Sequence, residues 1–187
     1  MKFFICFLSA ALILSACKND NKSKTGNDSK DKADSAAKKT ETKTKDESVN
    51  SKGVLNNIHI TTNGGVKVNR AYLALEDGSL ILDDNTVGIG QKAVLHLNVE
   101  GWKVDNGKTF LGAYEKIATN SGEKVLEADD LFQSYTDGID PNDAKSITLS
   151  AVITKNDPNY DHFVVSFRVW DKKDNGEISG SYKLYIK

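Results

Sequence analysis

Large apolar residues recur at every second position along three stretches in the second half of the chain. Every second residue is a large apolar one in LHLNVE at 95–100, FVVSFRVW at 163–170 and SYKLYI at 181–186. Successive side chains of a β-strand point to opposite faces, so a period of two predicts strands with one buried face. The chain must therefore build sheets that cover one another, rather than pack amphipathic helices.

Further strands are predicted wherever a short apolar run is bounded by Gly, Asn or Asp. The complete set is 55–61, 66–75, 80–82, 92–102, 109–118, 146–154, 162–171 and 178–186. The dipeptides Asp77-Gly78, Asn106-Gly107 and Asn175-Gly176 and the triplet 63–65 lie between them, and such sequences supply the positive φ of tight hairpins. The last of these predicts a hairpin between the final two strands.

Two segments fit other structures. Asp140-Pro141 resembles a helix cap followed by proline at the first helical position, so a short helical turn is expected before residue 146. Segment 123–135 fits either a short helix, with Val125, Ala128 and Leu131 on one face, or a loop around Asp129.

The absence of alternating strands and helices predicts an all-β fold, an antiparallel two-sheet sandwich of immunoglobulin-like architecture over residues 53–187. This region contains no cysteine, so the cysteine pair of true immunoglobulin domains is missing. Its core alone must stabilise it, and a domain of this length buries roughly two-thirds of its unfolded surface.

Residues 18–52 have a different composition. They include three Ala and one Val but no Leu, Ile or aromatic residue. Such a segment buries too little apolar surface to offset the entropy of ordering, so a disordered polar linker is predicted. Within it, Asp34-Ser35-Ala36 is similar to the O-glycosylation motif of Bacteroidota, which makes Ser35 a candidate glycosylation site.

The first seventeen residues resemble the signal of a bacterial lipoprotein. Met1-Lys2 gives a positive start, and residues 3–14 form an uncharged run too short to span a bilayer as a helix. Leu14-Ser15-Ala16-Cys17 is similar to the lipobox. The resemblance implies removal of a signal peptide, residues 1–16, and acylation of Cys17. An ordinary secretory signal ending beside a chance cysteine is the alternative.

The resemblance also indicates where in the cell the protein is located. In lipoprotein sorting of the enterobacterial type, aspartate after the cysteine favours the inner membrane, whereas Lys18 stands there in this chain. We therefore expect a cell-envelope protein, lipid-anchored at the outer membrane, on either the periplasmic face or the cell surface.

Charge and motifs restrict the chemistry. Residues 53–187 contain fourteen basic and nineteen acidic residues, and such a domain lacks the clustered positive charge that nucleic acid requires. No nucleophile elbow, phosphate-binding loop or zinc-protease motif occurs. We expect no enzyme, no catalytic residue, no cofactor and no nucleic-acid partner, although paired carboxylates of a glycan-active enzyme would come together only in the fold.

Two acidic clusters have calcium-like spacing. In segment 171–177 the third position of a calcium loop is Lys173, and Tyr182 stands where a bidentate glutamate should close the site. Asp137, Asp140 and Asp143 form the second cluster. Turn and cap chemistry explains both more simply, so no metal site is predicted.

A binding surface is the remaining candidate. If the strand 92–102 lies in the same sheet as the strand 162–171, their polar faces form one surface rich in Trp and Arg, which dominate interface energetics. Its predicted members are His96, Glu100, Trp102, Arg168 and Trp170. The alternative places both tryptophans at the rim of the core, since Trp is usually mostly buried.

The sequence thus favours a lipid-anchored binding or adaptor module that holds a protein or glycan partner near the outer membrane. A purely structural envelope lipoprotein is the first alternative, and a glycan-active enzyme with paired carboxylates is the second.

The membrane address yields a direct prediction. We expect the Cys17→Ser variant to lose incorporated fatty acid and to leave the detergent phase in a phase-separation assay, because several acyl chains provide the attachment. Cys6→Ser, within the predicted signal peptide, is the matched control and should behave as the wild type. Equal partitioning of the wild type and Cys17→Ser would contradict the lipoprotein interpretation.

Overall fold

The computed structural model describes residues 53–155 and 157–187, together with the backbone of Glu47–Ser48. A 3-10 turn at Asp143–Lys145 confirms the helical turn predicted before residue 146. The strands are β1 Glu47–Ser48, β2 His59–Asn63, β3 Lys67–Leu75, β4 Thr86–Val87, β5 Lys92–Glu100, β6 Leu111–Thr119, β7 Lys124–Ala128, β8 Ser146–Val152, β9 Phe163–Asp171 and β10 Glu177–Ile186.

These strands form two sheets of unequal size. The large sheet has seven strands in the order β1-β2-β10-β9-β6-β7, with β4 beside the end of β10, and the small sheet has three in the order β3-β5-β8. Every pair is antiparallel except β4 with β10. The predicted all-β, immunoglobulin-like sandwich is confirmed.

The core lies between the two inner faces. Alternate residues of β5 (Leu95, Leu97, Val99) and of β9 (Val165, Val169) are at most 1% exposed. Each buried side chain of this size stabilises the fold by about 1.5–3 kcal/mol. The period-two pattern of the sequence thus indicates which face of each of these strands is buried.

Three asparagines shape the loops at one end of the sandwich. Asn56, Asn57 and Asn85 have φ of 58°, 49° and 55°, in the left-handed region that asparagine tolerates better than most residues. Because Asn56 and Asn57 turn the chain, β2 begins at His59 and not at residue 55 as predicted.

The predicted turn glycines divide into two groups. Gly64, Gly78 and Gly107 have φ of 66°, 84° and 76°, as predicted. The expectation was wrong for Asn175-Gly176, where neither residue has positive φ. Gly176 is buried, and a Cβ there would lie 2.8 Å from Val66 Cγ2, so this position requires glycine for space. The hairpin between β9 and β10 itself is confirmed.

Other predicted elements changed. Segment 123–135 begins as strand β7, whose residues Val125 and Leu126 are exposed at the edge of the large sheet, and not as a helix. The predicted strand 80–82 is reduced to one bridge between Leu80 and Ala74.

Several predictions fall on residues outside those described. They are the signal peptide 1–16, acylation of Cys17, glycosylation of Ser35 and the linker 18–52, except that the backbone of Glu47–Ser48 pairs with β2. Among the described residues, no helix is long and apolar enough to cross a bilayer.

One carboxyl group lies inside the core. Glu115 is 3% exposed on the inner face of β6, and its Oε1 has no hydrogen-bond partner among the described residues. Burial raises the pKa of Glu115 from 4.5 to about 7. Burial, and secondarily the nearby Glu115, raise the pKa of Tyr182, whose hydroxyl is also buried without a partner in the described part of the chain.

Glu115 should make stability depend on pH. The folded state keeps the Glu115 proton up to about pH 7, whereas the unfolded chain releases it near pH 4.5. Stability contributed at low pH is therefore lost as pH rises from 4.5 to 7, by roughly 3 kcal/mol. We expect urea unfolding at pH 5 and pH 8 to show a smaller loss for Glu115→Gln than for the wild type. An identical pH dependence of both proteins would contradict this reading.

Candidate binding surface

The predicted binding face does not form one surface. Strand β5 pairs with β3 and β8 in the small sheet, whereas β9 pairs with β6 and β10 in the large sheet. The outer faces of the two sheets point in opposite directions, so His96 and Glu100 lie on one side of the sandwich and Arg168 and Trp170 on the other. The premise that both strands share a sheet was wrong, because long-range pairing sets sheet membership.

On the small sheet, His96 is part of an aromatic stack. Its ring lies parallel to that of Tyr72, with centroids 4.7 Å apart, and the guanidinium of Arg70 lies 4.7 Å from the Tyr72 centroid. Partial burial lowers the pKa of His96, which favours the neutral ring. Glu100 is exposed at the end of β5, opposite Lys67. His96 and Glu100 are therefore on the same sheet but in different environments.

Trp102 lies at the rim of the core. It is half-buried, packs against the core cluster, and would contact a Cβ at Gly176 at 3.4 Å. Its Nε1 is buried with no partner among the described residues. Trp102 thus fits the rim alternative and contributes little to an exposed surface.

The outer face of the large sheet carries a different pattern. Its centre is formed by small hydroxyl residues on the two central strands, Ser166 of β9 and Ser179 and Ser181 of β10. Ser166 is directly opposite Ser181, and none of the three side chains makes a hydrogen bond within the described part of the chain. We call the outer face of β6, β9 and β10 around these serines the serine face.

At one end of the serine face, Trp170 is held in place from two sides. It stands opposite Gly112 of β6, and a Cβ there would lie 2.3 Å from Trp170 Cζ2, so the indole lies across the glycine. The guanidinium of Arg168 lies 4.9 Å from the Trp170 ring and pairs with Glu177 at 2.6 Å. Trp170 therefore forms a fixed wall rather than a free aromatic platform.

The β6 side of the serine face is also held by fixed side chains. The Tyr114 hydroxyl donates to Glu127 Oε1 at 2.7 Å, and Lys124 pairs with Glu127 Oε2 at 2.9 Å. Hydrogen bonds from Lys124 and Tyr114 hold the pKa of Glu127 below its usual value. Glu127 stays ionised at neutral pH and keeps Tyr114 oriented beside Arg168, its cross-strand neighbour.

At the opposite end, the serine face deepens into a pocket of about 320 Å³. Its lining includes Val164 and Ser181 of the sheet, Asp83 and Asp84 of the loop before β4, and Tyr185 of β10. His59 and Lys183 also line it, and the ring of His162 is 5.6 Å from that of Tyr185. We call this the end pocket.

The loops around the end pocket are tied together through asparagine side chains. Asn85 Nδ2 donates to the carbonyls of Asn56 at 2.7 Å and Lys183 at 3.0 Å, and Asn57 Nδ2 donates to that of Asp83 at 3.2 Å. Asn85 is 3% exposed, yet its Oδ1 has no partner among the described residues. The pocket therefore has rigid walls and one unused acceptor in a residue that lines it.

In both acidic clusters considered for calcium, a carboxylate accepts hydrogen bonds from backbone amides. Asp171 is buried and accepts hydrogen bonds from the amides of Lys103 at 3.0 Å and Lys173 at 2.9 Å. Asp140 accepts from the Asn142 amide at 2.9 Å. Within the ranges that the structure describes, no three His, Cys, Asp or Glu side chains cluster as metal ligands would.

Comparison with known proteins gives no family. No protein-family model and no curated protein matches the chain. Among solved structures, the C-terminal domain of Wzt is similar, at 12% identity and a TM-score of 0.46, covering 70% of this chain and 78% of that domain. The soluble domain of PmoD from a Methylocystis species has 7% identity and a TM-score of 0.36, covering 68% and 91%. At this level of similarity, neither structure bears on what this chain binds.

Sequence patterns missed most of the serine face. Arg168 and Trp170 were predicted as surface residues, but Ser179, Ser181 and Tyr185 were assigned only to a strand. Their signal is the pair of serines at 179 and 181, at alternate positions on the outward face of the last strand. The predicted final hairpin would have paired Ser181 with Ser166 if its register had been known.

The Trp170 wall gives a spectroscopic prediction. In a Trp102→Phe background, we expect Gly112→Ala to lift the indole from the sheet, shifting Trp170 emission to the red and increasing its quenching by acrylamide. Ala118→Val, on the same face of β6 but away from Trp170, is the control and should leave both unchanged. An unaltered Trp170 spectrum in Gly112→Ala would show that the indole does not lie across Gly112.

Proposed function

We propose that this protein is a lipid-anchored, non-enzymatic binding module of the cell envelope, attached to the outer membrane through Cys17, with the serine face as its binding surface. The observation that carries the proposal is the pairing of small, unengaged hydroxyl groups at the centre of the face with fixed aromatic and charged walls around it. Binding sites are typically concave and preformed, with a few placed polar groups.

The composition of the walls supports recognition. Tyr, Trp and Arg contribute most to binding energy at protein surfaces. Arg168 is directly opposite Ser179, with Tyr114 opposite Arg168 on β6 and Trp170 two residues further along β9. Their contacts with Glu127, Gly112 and Glu177 hold them in place before a partner arrives. Less conformational freedom is then lost on binding.

Acylation of Cys17 fits this function. A tethered domain meets membrane-bound partners at an effective concentration set by the tether, so modest contacts with a serine-lined face suffice. The polar linker 18–52 would set the reach of the domain from the outer membrane.

The alternatives have less support. A purely structural lipoprotein would leave the small central serines and their fixed walls without a purpose. For a glycan-active enzyme, Glu115 has the pKa of a general acid, about 7, but it lies in the core and not on the serine face. In the end pocket, Asp84 Oδ1 accepts from the Thr86 amide at 3.2 Å, as expected of turn chemistry.

Blocking the centre of the serine face should abolish capture of the partner. We expect Ser166→Tyr to lose what the lipidated wild type captures by cross-linking in native envelopes, because a large ring there covers the centre of the serine face. Ser150→Tyr, on the outer face of β8, is the matched control and should capture as the wild type does.

Either of two results would contradict the proposal. One is capture by Ser166→Tyr equal to that of the wild type. The other is equal loss in Ser166→Tyr and Ser150→Tyr, with both variants shown by circular dichroism to be folded.

A further inference from the structure

We infer that the end pocket is a sugar site, which takes one neutral pyranose unit of a glycan chain lying along the serine face. The inference rests on the proposed function and specifies its ligand. Three features of the pocket carry it: an aromatic wall, carboxylate acceptors, and charges of both signs.

The aromatic wall is Tyr185. It is half-buried on the outer face of β10, and its backbone amide donates to the Asn85 carbonyl at 3.1 Å, which fixes the strand against the loop. His162 lies beside it, with ring centroids 5.6 Å apart, and Asp161 Oδ2 is 2.7 Å from His162 Nδ1. A ring held this way offers an apolar surface with a polar tip, which suits the C–H face of a sugar.

Carboxylate acceptors line the same pocket. Asp83 contributes an exposed carboxylate, and Asp84 contributes a carboxylate of which Oδ1 accepts a hydrogen bond from the Thr86 amide. Hydrogen bonds to ionised carboxylates are among the strong ones, so a ligand that donates to them gains affinity. Adjacent hydroxyl groups of a sugar provide such donors in pairs.

The pocket also contains donors and one positive charge. Lys183 and the Ser181 hydroxyl donate, His59 provides a ring nitrogen, and the charge of Lys183 opposes those of Asp83 and Asp84. A fully charged ligand of either sign would meet a like charge there. A neutral ligand that both donates and accepts hydrogen bonds fits better.

The shape favours a chain over a single small molecule. From Val164 at the end pocket to Trp170, strand β9 spans about 20 Å, and the serines form the floor in between. Hydroxyl groups on the floor match a hydroxyl-rich ligand along its length. A protein partner would instead need apolar anchors in buried pockets, which the serine floor does not supply.

The test is NMR titration of the complete mature chain carrying Cys17→Ser, prepared without acyl groups. The probes are glucose, galactose, mannose, N-acetylglucosamine, rhamnose and fucose, with glucuronic acid and glucosamine as charged comparators. We expect at least one neutral sugar to shift the amides of Ser181, Lys183 and Tyr185 saturably. Tyr185→Ala and Asp83→Asn should weaken this binding about tenfold or more, whereas Tyr72→Ala, on the opposite sheet, should not change it.

Three results would overturn the sugar site: no saturable shift with any neutral sugar, shifts that map away from the end pocket, or tighter binding of a charged comparator. They leave the proposed function intact if Ser166→Tyr still loses the captured partner. Failure of both experiments would reject the binding face itself.

Discussion

The fold of residues 53–187 depends on packing the inner faces of its two sheets against each other without a covalent cross-link. No cysteine lies in residues 53–187, so stability rests on close packing of alternate residues such as Leu97 of β5 and Val165 of β9. This requirement fixes which face of every strand is buried. It also leaves the outer faces free to vary, because they contribute little to the core.

The two sheets differ in the side chains on their outer faces. The small sheet turns outward a compact stack of Arg70, Tyr72 and His96, whose groups mainly satisfy one another. The large sheet is wider and places Ser166 and Ser181 at its middle, with longer side chains only around them. This arrangement forms the serine face.

The loops at one end of the serine face form part of the end pocket. Left-handed Asn56, Asn57 and Asn85 bring the segments around residues 55 and 84 together through side-chain hydrogen bonds to backbone. Such strained positions persist where the surrounding structure over-determines them, and they often mark functional sites. Here their side-chain hydrogen bonds hold the loops that form the end pocket.

What the sequence revealed and what it concealed have physical reasons. Alternation at 95–100 and 163–170 is local, so strands and buried faces were predictable from it. Sheet membership is not local: β5 and β9 have the same pattern but pair with different partners. Gly176 shows a second limit, because glycine in a turn signals positive φ, and only the fold shows that Val66 and Trp102 need its space. Edge strand β7 shows a third, since its exposed Val125 and Leu126 give no alternation.

The central claim is that the outer face of the large sheet, and not that of the small one, meets a partner in the envelope. Hydroxyl-radical footprinting of the lipidated protein, in native envelopes and after purification, tests it most directly. We expect Tyr114, Trp170 and Tyr185 to be protected only in the envelope, while Tyr72 and His96 react equally in both. Equal reactivity of the serine-face residues in both preparations, or protection confined to Tyr72 and His96, would contradict it.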